Sequence, residues 1–189
     1  MNWEEYFMKK KILLFLLVMV LILSFAGCGK QQGPLVGKWA YVHDETTTVL
    51  ELASNGKAVY EGNSYTYTND DQFIILKDKN GNENRFRYVI EKDGFLFYKT
   101  TEYVNKDNEA PSSIVGVWTG KEVDKWSFEF TENGEFMEDG YFPGYYTIDE
   151  NAKTVKLVYN DHFEDTICYY QKDGNELTIE YPWKMVQAK

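Results

Sequence analysis

From residue 35 to the end of the chain, apolar and polar residues alternate in short runs that turn-forming residues separate. In one such run Trp126, Phe128 and Phe130 point to one face of an extended chain, and the polar residues between them point to the other. A period of two residues is typical of a β-strand that buries one face. No apolar pattern with the period of a helix follows residue 34, so the sequence predicts an all-β fold.

Glycine-containing turns follow many of these runs and indicate which strands pair. Asn-Gly or Asp-Gly pairs occur at residues 55–56, 80–81, 93–94, 133–134 and 173–174. Such pairs form tight hairpins because Asn, Asp and Gly tolerate positive φ. Short hairpins join neighbours in sequence, which predicts an antiparallel meander. The predicted strands are Val36–Val42, Thr47–Ala53, Lys57–Glu61, Ser64–Thr68, Gln72–Asp78, Asn84–Glu91, Phe95–Tyr103, Val115–Thr119, Lys125–Thr131, Glu135–Asp139, Tyr145–Asp149, Thr154–Tyr159, Glu164–Gln171 and Glu176–Tyr181.

The second half of this meander repeats the first. The segment LVGKW at 35–39 reappears as IVGVW at 114–118, LELASNG at 50–56 as FEFTENG at 128–134, and EKDG at 91–94 as QKDG at 171–174. These matches keep their order at spacings of 79, 78 and 80 residues, which indicates a duplication. We therefore divide the chain into repeat 1 (35–104), a polar linker (105–113) and repeat 2 (114–186).

Two architectures agree with this repeat. In the first, each repeat forms its own small antiparallel barrel or curved sheet, and Trp39 and Trp118 fill the two cores. In the second, both repeats close one larger up-and-down barrel. The linker NKDNEAPSS is longer and more polar than a hairpin turn, which favours two units. A small filled barrel leaves little room for an internal ligand.

A basic and then apolar segment precedes the repeats. Lys9–Lys11 lie before fifteen residues, Ile12–Ala26, that carry no charge. A membrane-spanning helix needs about 20 apolar residues, whereas the core of a signal peptide needs about 7–15 and follows positive charge. The pattern predicts a signal helix over residues 1–27, which places the remainder of the chain outside the cytoplasm. We expect translation to start at Met8, because residues 1–7 put acids and aromatics ahead of the basic region.

The end of this segment, Phe25-Ala26-Gly27-Cys28, resembles the lipobox of bacterial lipoproteins. Ala26 and Gly27 provide the small residues that the motif needs before the cysteine, and Phe25 stands where leucine is usual. The resemblance implies that Cys28 carries a diacylglycerol with acyl chains such as palmitate, and that the chain is cut just before it. Residues 28–34 are then a lipidated linker, and the protein is anchored to the extracytoplasmic face of the cell membrane.

Each repeat begins with Gly-x-Trp, at residues 37–39 and 116–118, and continues as an up-and-down meander. This arrangement resembles the lipocalin-like domains of bacterial lipoproteins. Lipocalins have one Gly-x-Trp and eight strands around a ligand cavity, whereas here the motif occurs twice at a shorter spacing. The resemblance implies tandem lipocalin-like units and, in one version, a carrier for a small hydrophobic ligand.

The charge of the chain excludes one class of partner. The net charge is −10, and residues 1–27 hold three lysines and two glutamates, so their removal leaves −11. Nucleic-acid binding depends on Lys and Arg contacts to phosphate, and an acidic chain therefore predicts no nucleic-acid partner. With Cys28 lipidated, Cys168 is alone and no intrachain disulfide is expected.

Few residues have the chemistry of a catalytic or metal site. His43 and His162 occupy different places in the two repeats, and a zinc site needs about four clustered ligands. The segment 78–83 alternates oxygen ligands as a calcium loop does, but its glycine is fourth, and a hairpin turn explains the segment equally well. Nucleophile-elbow, phosphate-loop and zinc-protease motifs are absent. We predict no metal, no cofactor and no enzymatic activity, with a hydrolase-type enzyme as an alternative.

Aromatic residues beside turns are the candidate contact residues. Tyr141, Phe142 and Tyr145 surround a Pro-Gly turn in repeat 2, and Tyr65 and Tyr67 share a strand face at the equivalent place in repeat 1. Exposed aromatic side chains stack on sugars or anchor partner proteins, although such rings also cap small β-cores. The predicted function is non-catalytic binding at the cell envelope, of a glycan, a surface protein or a small hydrophobic molecule.

Overall fold

A computed structural model describes residues 33–107, 110–122, 126–160 and 163–189. The predicted signal segment, Met8, Cys28 and His162 lie outside the described residues. Fourteen β-strands form in the described part of the chain. They are β1 (Gly37–Tyr41), β2 (Leu50–Leu52), β3 (Lys57–Tyr60), β4 (Asn63–Asn69), β5 (Phe73–Lys77), β6 (Glu83–Glu91), β7 (Gly94–Asn105), β8 (Gly116–Gly120), β9 (Ser127–Phe130), β10 (Glu135–Glu138), β11 (Phe142–Asp149), β12 (Thr154–Tyr159), β13 (Thr166–Asp173) and β14 (Glu176–Gln187).

These strands form one antiparallel sheet whose two ends meet. Each strand pairs with the next strand in sequence, and β14 pairs with β1 to close the sheet into a barrel. The prediction of an all-β, antiparallel fold is confirmed. One further pairing, between β7 and β14, crosses the ring of strands and connects its two halves.

The β7–β14 ribbon divides the ring into two closed loops. The two strands pair along ten residues, from Val104 with Glu176 to Phe95 with Met185. The other edge of β7 pairs with β6 near one end and with β8 near the other, and the other edge of β14 pairs with β13 and with β1 in the same way. We call the loop of β1–β7 and β14 the first lobe, and the loop of β7–β14 the second lobe.

Each lobe encloses its own buried cluster. The first-lobe cluster includes Trp39 and also contains Met185, which comes from the last strand of the chain. The second-lobe cluster includes Trp118 and also contains Tyr103, which comes from β7 in the first half of the chain. Burial of such large apolar side chains is the main stabilising contribution in a small fold. Each core is therefore completed by a strand from the other half of the sequence.

Equivalent positions in the two halves make the same contacts. Nε1 of Trp39 and Nε1 of Trp118 each donate a hydrogen bond to the carbonyl four residues earlier, at 2.7 Å in both cases. Both indole side chains are buried, so the prediction that they fill the cores is confirmed. At the predicted Asn-Gly turns, Gly56 and Gly134 have φ values of 77° and 82°, a region that favours glycine.

Three strands, β7, β11 and β14, are longer than predicted by three residues or more. β7 and β14 each have twelve residues, because their mutual pairing continues past Tyr103 and Tyr181, the predicted ends of these strands. β7 therefore includes Asn105, the first residue of the predicted linker. β11 begins three residues early, at Phe142, because Pro143 lies near the start of the strand, where its missing N–H is tolerated.

Candidate functional site

A continuous row of aromatic rings crosses from the first lobe to the second. We call it the aromatic band, and its members are His43, Tyr41, Trp183, Tyr181, Tyr159, Phe163 and Phe142. In its first-lobe part, the rings of Tyr41 and His43 stack with centroids 5.5 Å apart, and the Tyr41 ring lies 5.4 Å from the Trp183 ring. These centroid separations are those of interacting aromatic pairs.

The band continues into the second lobe through a contact between two tyrosine hydroxyls. The Trp183 ring lies 6.1 Å from the ring of Tyr181, whose hydroxyl oxygen is 3.2 Å from that of Tyr159. The Phe163 ring is 5.6 Å from Tyr159 and 5.3 Å from Phe142. Trp183 and Phe163 are 39% and 55% exposed, so the band is a surface on which a ligand can lie.

The alternation along β14 explains why the band lies between the cores. Leu177 and Ile179 enter the second-lobe cluster, and Met185 enters the first-lobe cluster. Tyr181 and Trp183 share their face of the strand, because side chains two residues apart point the same way. They fall between the two clusters, and neither cluster covers them completely.

An internal ion pair lies at the first-lobe part of the band. Nζ of Lys99 is 3.0 Å from Oε1 of Glu61. Lys99 is paired with Tyr181 across the β7–β14 ribbon, which places it beside the middle of the band. Burial disfavours the charge of Lys99, but the hydrogen bond with Glu61 and nearby charges outweigh that effect and raise the pKa of Lys99. The cation and the carboxylate at this end neutralise each other.

A carboxylate lies beneath the second-lobe part of the band. The hydroxyl of Tyr159 donates a hydrogen bond to Oε2 of Glu138. Burial raises the pKa of Glu138, the hydrogen bond from Tyr159 partly opposes this, and the charge of Asp139 adds to it. Burial and the Glu138 charge also raise the pKa of Tyr159. Glu138 is therefore a carboxylate whose ionised form is poorly solvated.

Glu138 and Tyr60 occupy equivalent places in the two lobes. Each is the last residue of its strand, β10 or β3, and each is followed by an acidic residue with positive φ, Asp139 at 53° and Glu61 at 48°. A glycine with positive φ comes next in both cases. The two parts of the band therefore have similar backbones, but one presents a phenol and the other a carboxylate.

The predicted contact residues divide between core and surface. Tyr67 is 4% exposed and belongs to the first-lobe cluster, and Tyr65 packs against that cluster. Tyr141 is 82% exposed at the turn before β11. Phe142 joins the aromatic band, whereas Tyr145 is exposed on the opposite face of β11. Of these five residues, the band includes Phe142.

Sequence reasoning missed the other members of the band. The alternation of Tyr181, Trp183 and Met185 continues the strand pattern, and this signal could have extended β14. The approach of Tyr41 to Trp183 depends on the pairing of β1 with β14, and short-range patterns carry no information on that pairing. Tyr159 reaches the band from β12, which is a further distant segment of the chain.

A polar groove of about 660 Å³ lies on the other face of the ribbon. Arg87, Tyr169 and Glu180 are among its lining residues. Nε of Arg87 is 2.7 Å from Oε2 of Glu180, and the guanidinium carbon lies 4.0 Å from the centroid of the Tyr169 ring. Arg87 and Glu180 therefore already have partners within the protein, so the aromatic band is the better candidate for a binding surface.

Metal and thiol chemistry have little support in the described residues. Within them, no group of three His, Cys, Asp or Glu side chains is arranged to hold a metal ion. Burial raises the pKa of the Cys168 thiol, so little of the reactive thiolate forms. Oδ1 of Asp78 accepts the N–H groups of Asn80 and Asn82, both at 2.8 Å, which is the arrangement of a turn-stabilising side chain.

Comparisons of the chain with protein-family models, with curated proteins and with solved structures give no match. Over the described ranges, the structure contains no helix that is long and apolar enough to cross a membrane.

Proposed function

We propose that the chain is a lipid-anchored, extracytoplasmic lipoprotein that binds a linear envelope glycan along the aromatic band without catalysing a reaction. Support for the location comes from the apolar run Ile12–Ala26 and from the lipobox-like Phe25–Cys28. Support for binding comes from one observation, the row of seven aromatic side chains with exposed members that runs between the lobes, in which a hydroxyl contact joins two sets of ring contacts.

A linear polymer fits a row of aromatic side chains that extends from one lobe to the other. Sugar rings present apolar faces that pack on aromatic side chains, and hydroxyl groups that need hydrogen-bond partners. The band places such partners beside its rings, namely the hydroxyls of Tyr159 and Tyr181, the Glu138 carboxylate and the pair of Lys99 with Glu61. The net charge of −10 repels anionic polymers, so a neutral or cationic glycan is the expected ligand.

We also infer that two tandem lipocalin-like units, 35–104 and 114–186 joined by 105–113, arose by duplication. The matched indole hydrogen bonds of Trp39 and Trp118 and the matched glycine turns support this inference. In this interpretation each unit gives its last strand to the core of the other, and the shared ribbon is the result of that exchange.

A carrier for a small hydrophobic ligand is the first alternative. Such a carrier needs space inside a lobe, and large side chains occupy the interior of each one. Trp39, Phe95 and Phe97 are buried in the first lobe, and Trp118 and Phe128 are buried in the second. These filled interiors favour a ligand on the surface over a ligand inside a lobe.

A hydrolase-type activity is the second candidate, because Glu138 has the raised pKa that suits a general acid. Its neighbour Asp139 accepts the backbone N–H of Ser127 at 2.7 Å, which commits one oxygen of the second carboxylate to the fold. One assay distinguishes binding from hydrolysis, because a binding protein leaves the length of a bound glycan unchanged and a hydrolase shortens it. Mass spectrometry of the recovered glycan makes that measurement.

The location is tested by replacing Cys28→Ser in the full chain. We expect palmitate labelling to be lost and the protein to leave the membrane fraction, because the thioether linkage needs the sulfur. Unchanged palmitate labelling of the variant contradicts a lipid on Cys28. Labelling of wild type and variant in the same cells, followed by fractionation, gives the result.

Binding is tested with the full chain in detergent against a panel of neutral and amino-sugar glycans and extended peptides. We expect Trp183→Ala to weaken glycan binding about tenfold, since exposed aromatic anchors often contribute that much. The matched control is Trp126→Ala, which removes a 47% exposed indole outside the band. Binding of peptides and not glycans, or equal effects of both substitutions, contradicts the proposal.

A further inference from the structure

The two parts of the aromatic band have equivalent backbones but different charges. At the first-lobe part, Glu61 is neutralised by Lys99 at 3.0 Å. At the second-lobe part, Asp139 takes the place of Glu61, and Glu138 takes the place of Tyr60. Two acidic residues thus stand where the first lobe has a phenol and an internally paired carboxylate.

The second-lobe carboxylates receive no such cation from the described chain. Among residues 33–107, 110–122, 126–160 and 163–189, no basic side chain forms an ion pair with Glu138 or Asp139. Oδ1 of Asp139 is occupied by the N–H of Ser127. Glu138 accepts a hydrogen bond from Tyr159, and its side chain is half-buried.

Aromatic residues cluster around Tyr159, whose hydroxyl contacts this carboxylate. The ring of Tyr159, whose hydroxyl contacts Glu138, lies 5.1 Å from Phe136 and 5.6 Å from Phe163. The hydroxyl of Tyr181 approaches from the ribbon, 3.2 Å from that of Tyr159. Aromatic rings attract organic cations through their negative faces, and a carboxylate among them adds direct charge attraction. Neutral sugars gain nothing from that second contribution.

We propose that Glu138, Tyr159 and Tyr181 form an ammonium subsite, which selects a glycan that carries a protonated amine over its acetylated counterpart. This inference rests on the proposed glycan binding along the band. The protonated amine supplies to Glu138 the positive charge that Lys99 supplies to Glu61 at the first-lobe part. The acidic character of the whole chain adds a weaker, long-range preference for cationic ligands.

The test compares glucosamine oligomers with N-acetylglucosamine oligomers of equal length, by titration calorimetry of the full chain in detergent, at a pH where the amines are protonated. We expect tighter binding of the glucosamine oligomers, and we expect Glu138→Gln to weaken that binding about tenfold, as loss of a charged hydrogen bond does. Binding of the acetylated oligomers should weaken less, because the glutamine side chain still offers an oxygen to a sugar hydroxyl but no charge to an ammonium group. Glu135→Gln, on the outward face of the same strand, is the matched control.

The outcomes separate this subsite from the proposed function. If both oligomers bind equally and Glu138→Gln changes neither affinity, the subsite is wrong, while glycan binding stands. If neither oligomer nor any other glycan binds, the proposed function fails and the subsite fails with it. Glu138→Asp keeps the charge, so it should retain part of the preference. An Asp variant that behaves like the Gln variant, with unchanged tryptophan fluorescence, contradicts selection by charge.

Discussion

The shared ribbon makes a specific prediction about how the fold unfolds. Met185 lies on the last strand of the chain, yet its side chain is fully buried in the first-lobe cluster with Trp39. Truncation by Met185→Ala removes buried volume from the first lobe alone. The second-lobe cluster around Trp118 loses no side chain. If the lobes were independent, the substitution would affect the first lobe only.

The expected loss in the free energy of unfolding is about 2–5 kcal/mol, which is usual for removing a fully buried methionine side chain. This loss is a large part of the total free energy of unfolding of a small domain, which is about 5–15 kcal/mol. The strands β7 and β14 belong to both lobes, so unfolding of the first lobe removes β7 from the second. We therefore expect Met185→Ala to lower the urea midpoint of both lobes together.

The assay uses the segment from Gly33 to Lys189, which contains all described residues, labelled with fluorotryptophan. Fluorine NMR follows Trp39 and Trp118 as separate signals across a urea titration. Coincident transitions, shifted equally by Met185→Ala, are the expected result. A shift of the Trp39 signal with an unchanged Trp118 signal refutes the coupling. Ile167→Ala removes an exposed side chain and is the control. It should change the free energy of unfolding measured from either signal by no more than about 0.5 kcal/mol.

Three further predictions follow from single sites. Gly144→Ala should destabilise the fold by about 1–3 kcal/mol or more, because the new methyl carbon would clash with the carbonyl oxygen of Val158 and with the Phe136 ring. Urea denaturation measures this loss. Burial raises the pKa of Glu138, so the free energy of unfolding of the wild type should fall as the pH rises through that raised pKa. Glu138→Gln should remove this fall. Denaturant titrations at several pH values measure both. Cys168, a buried thiol of raised pKa, should react with a thiol reagent at the rate of unfolding, and reaction at the rate of a free thiol contradicts its burial.

Local patterns predicted much of this fold. Runs of alternating residues marked the strands, and Asn-Gly pairs marked turns at which Gly56 and Gly134 adopt positive φ. The pairing of β7 with β14 was not predictable in this way, because it joins residues about 80 positions apart and its register depends on the closure of both lobes. The extension of β14 to Gln187 follows from that pairing and from β1, and not from its own alternation alone.

The candidate site was harder to predict for the same reason. Phe142 was identified because it stands beside a turn, whereas its neighbour in the band, Phe163, lies in a loop with no turn or strand pattern of its own. The sequence around Tyr67 does not distinguish it from a surface tyrosine, but the face of β4 that carries Tyr67 packs against the first-lobe cluster. A local pattern shows that side chains share a face, and only closure of the sheet decides what that face contacts.

The location of the band follows from the sharing of β14 between the two cores. A strand that belongs to one core alternates between that core and solvent, but β14 passes from one core to the other. At the crossing, Tyr181 packs against the edge of the second-lobe cluster and stays partly buried, and Trp183 keeps the inward orientation of the strand but is 39% exposed. Apolar surface that two cores leave uncovered can bind a ligand without removing a side chain from either core. Substitutions at Trp183 should therefore change binding more than stability, and substitutions at Met185, two residues later on the same face, should do the reverse.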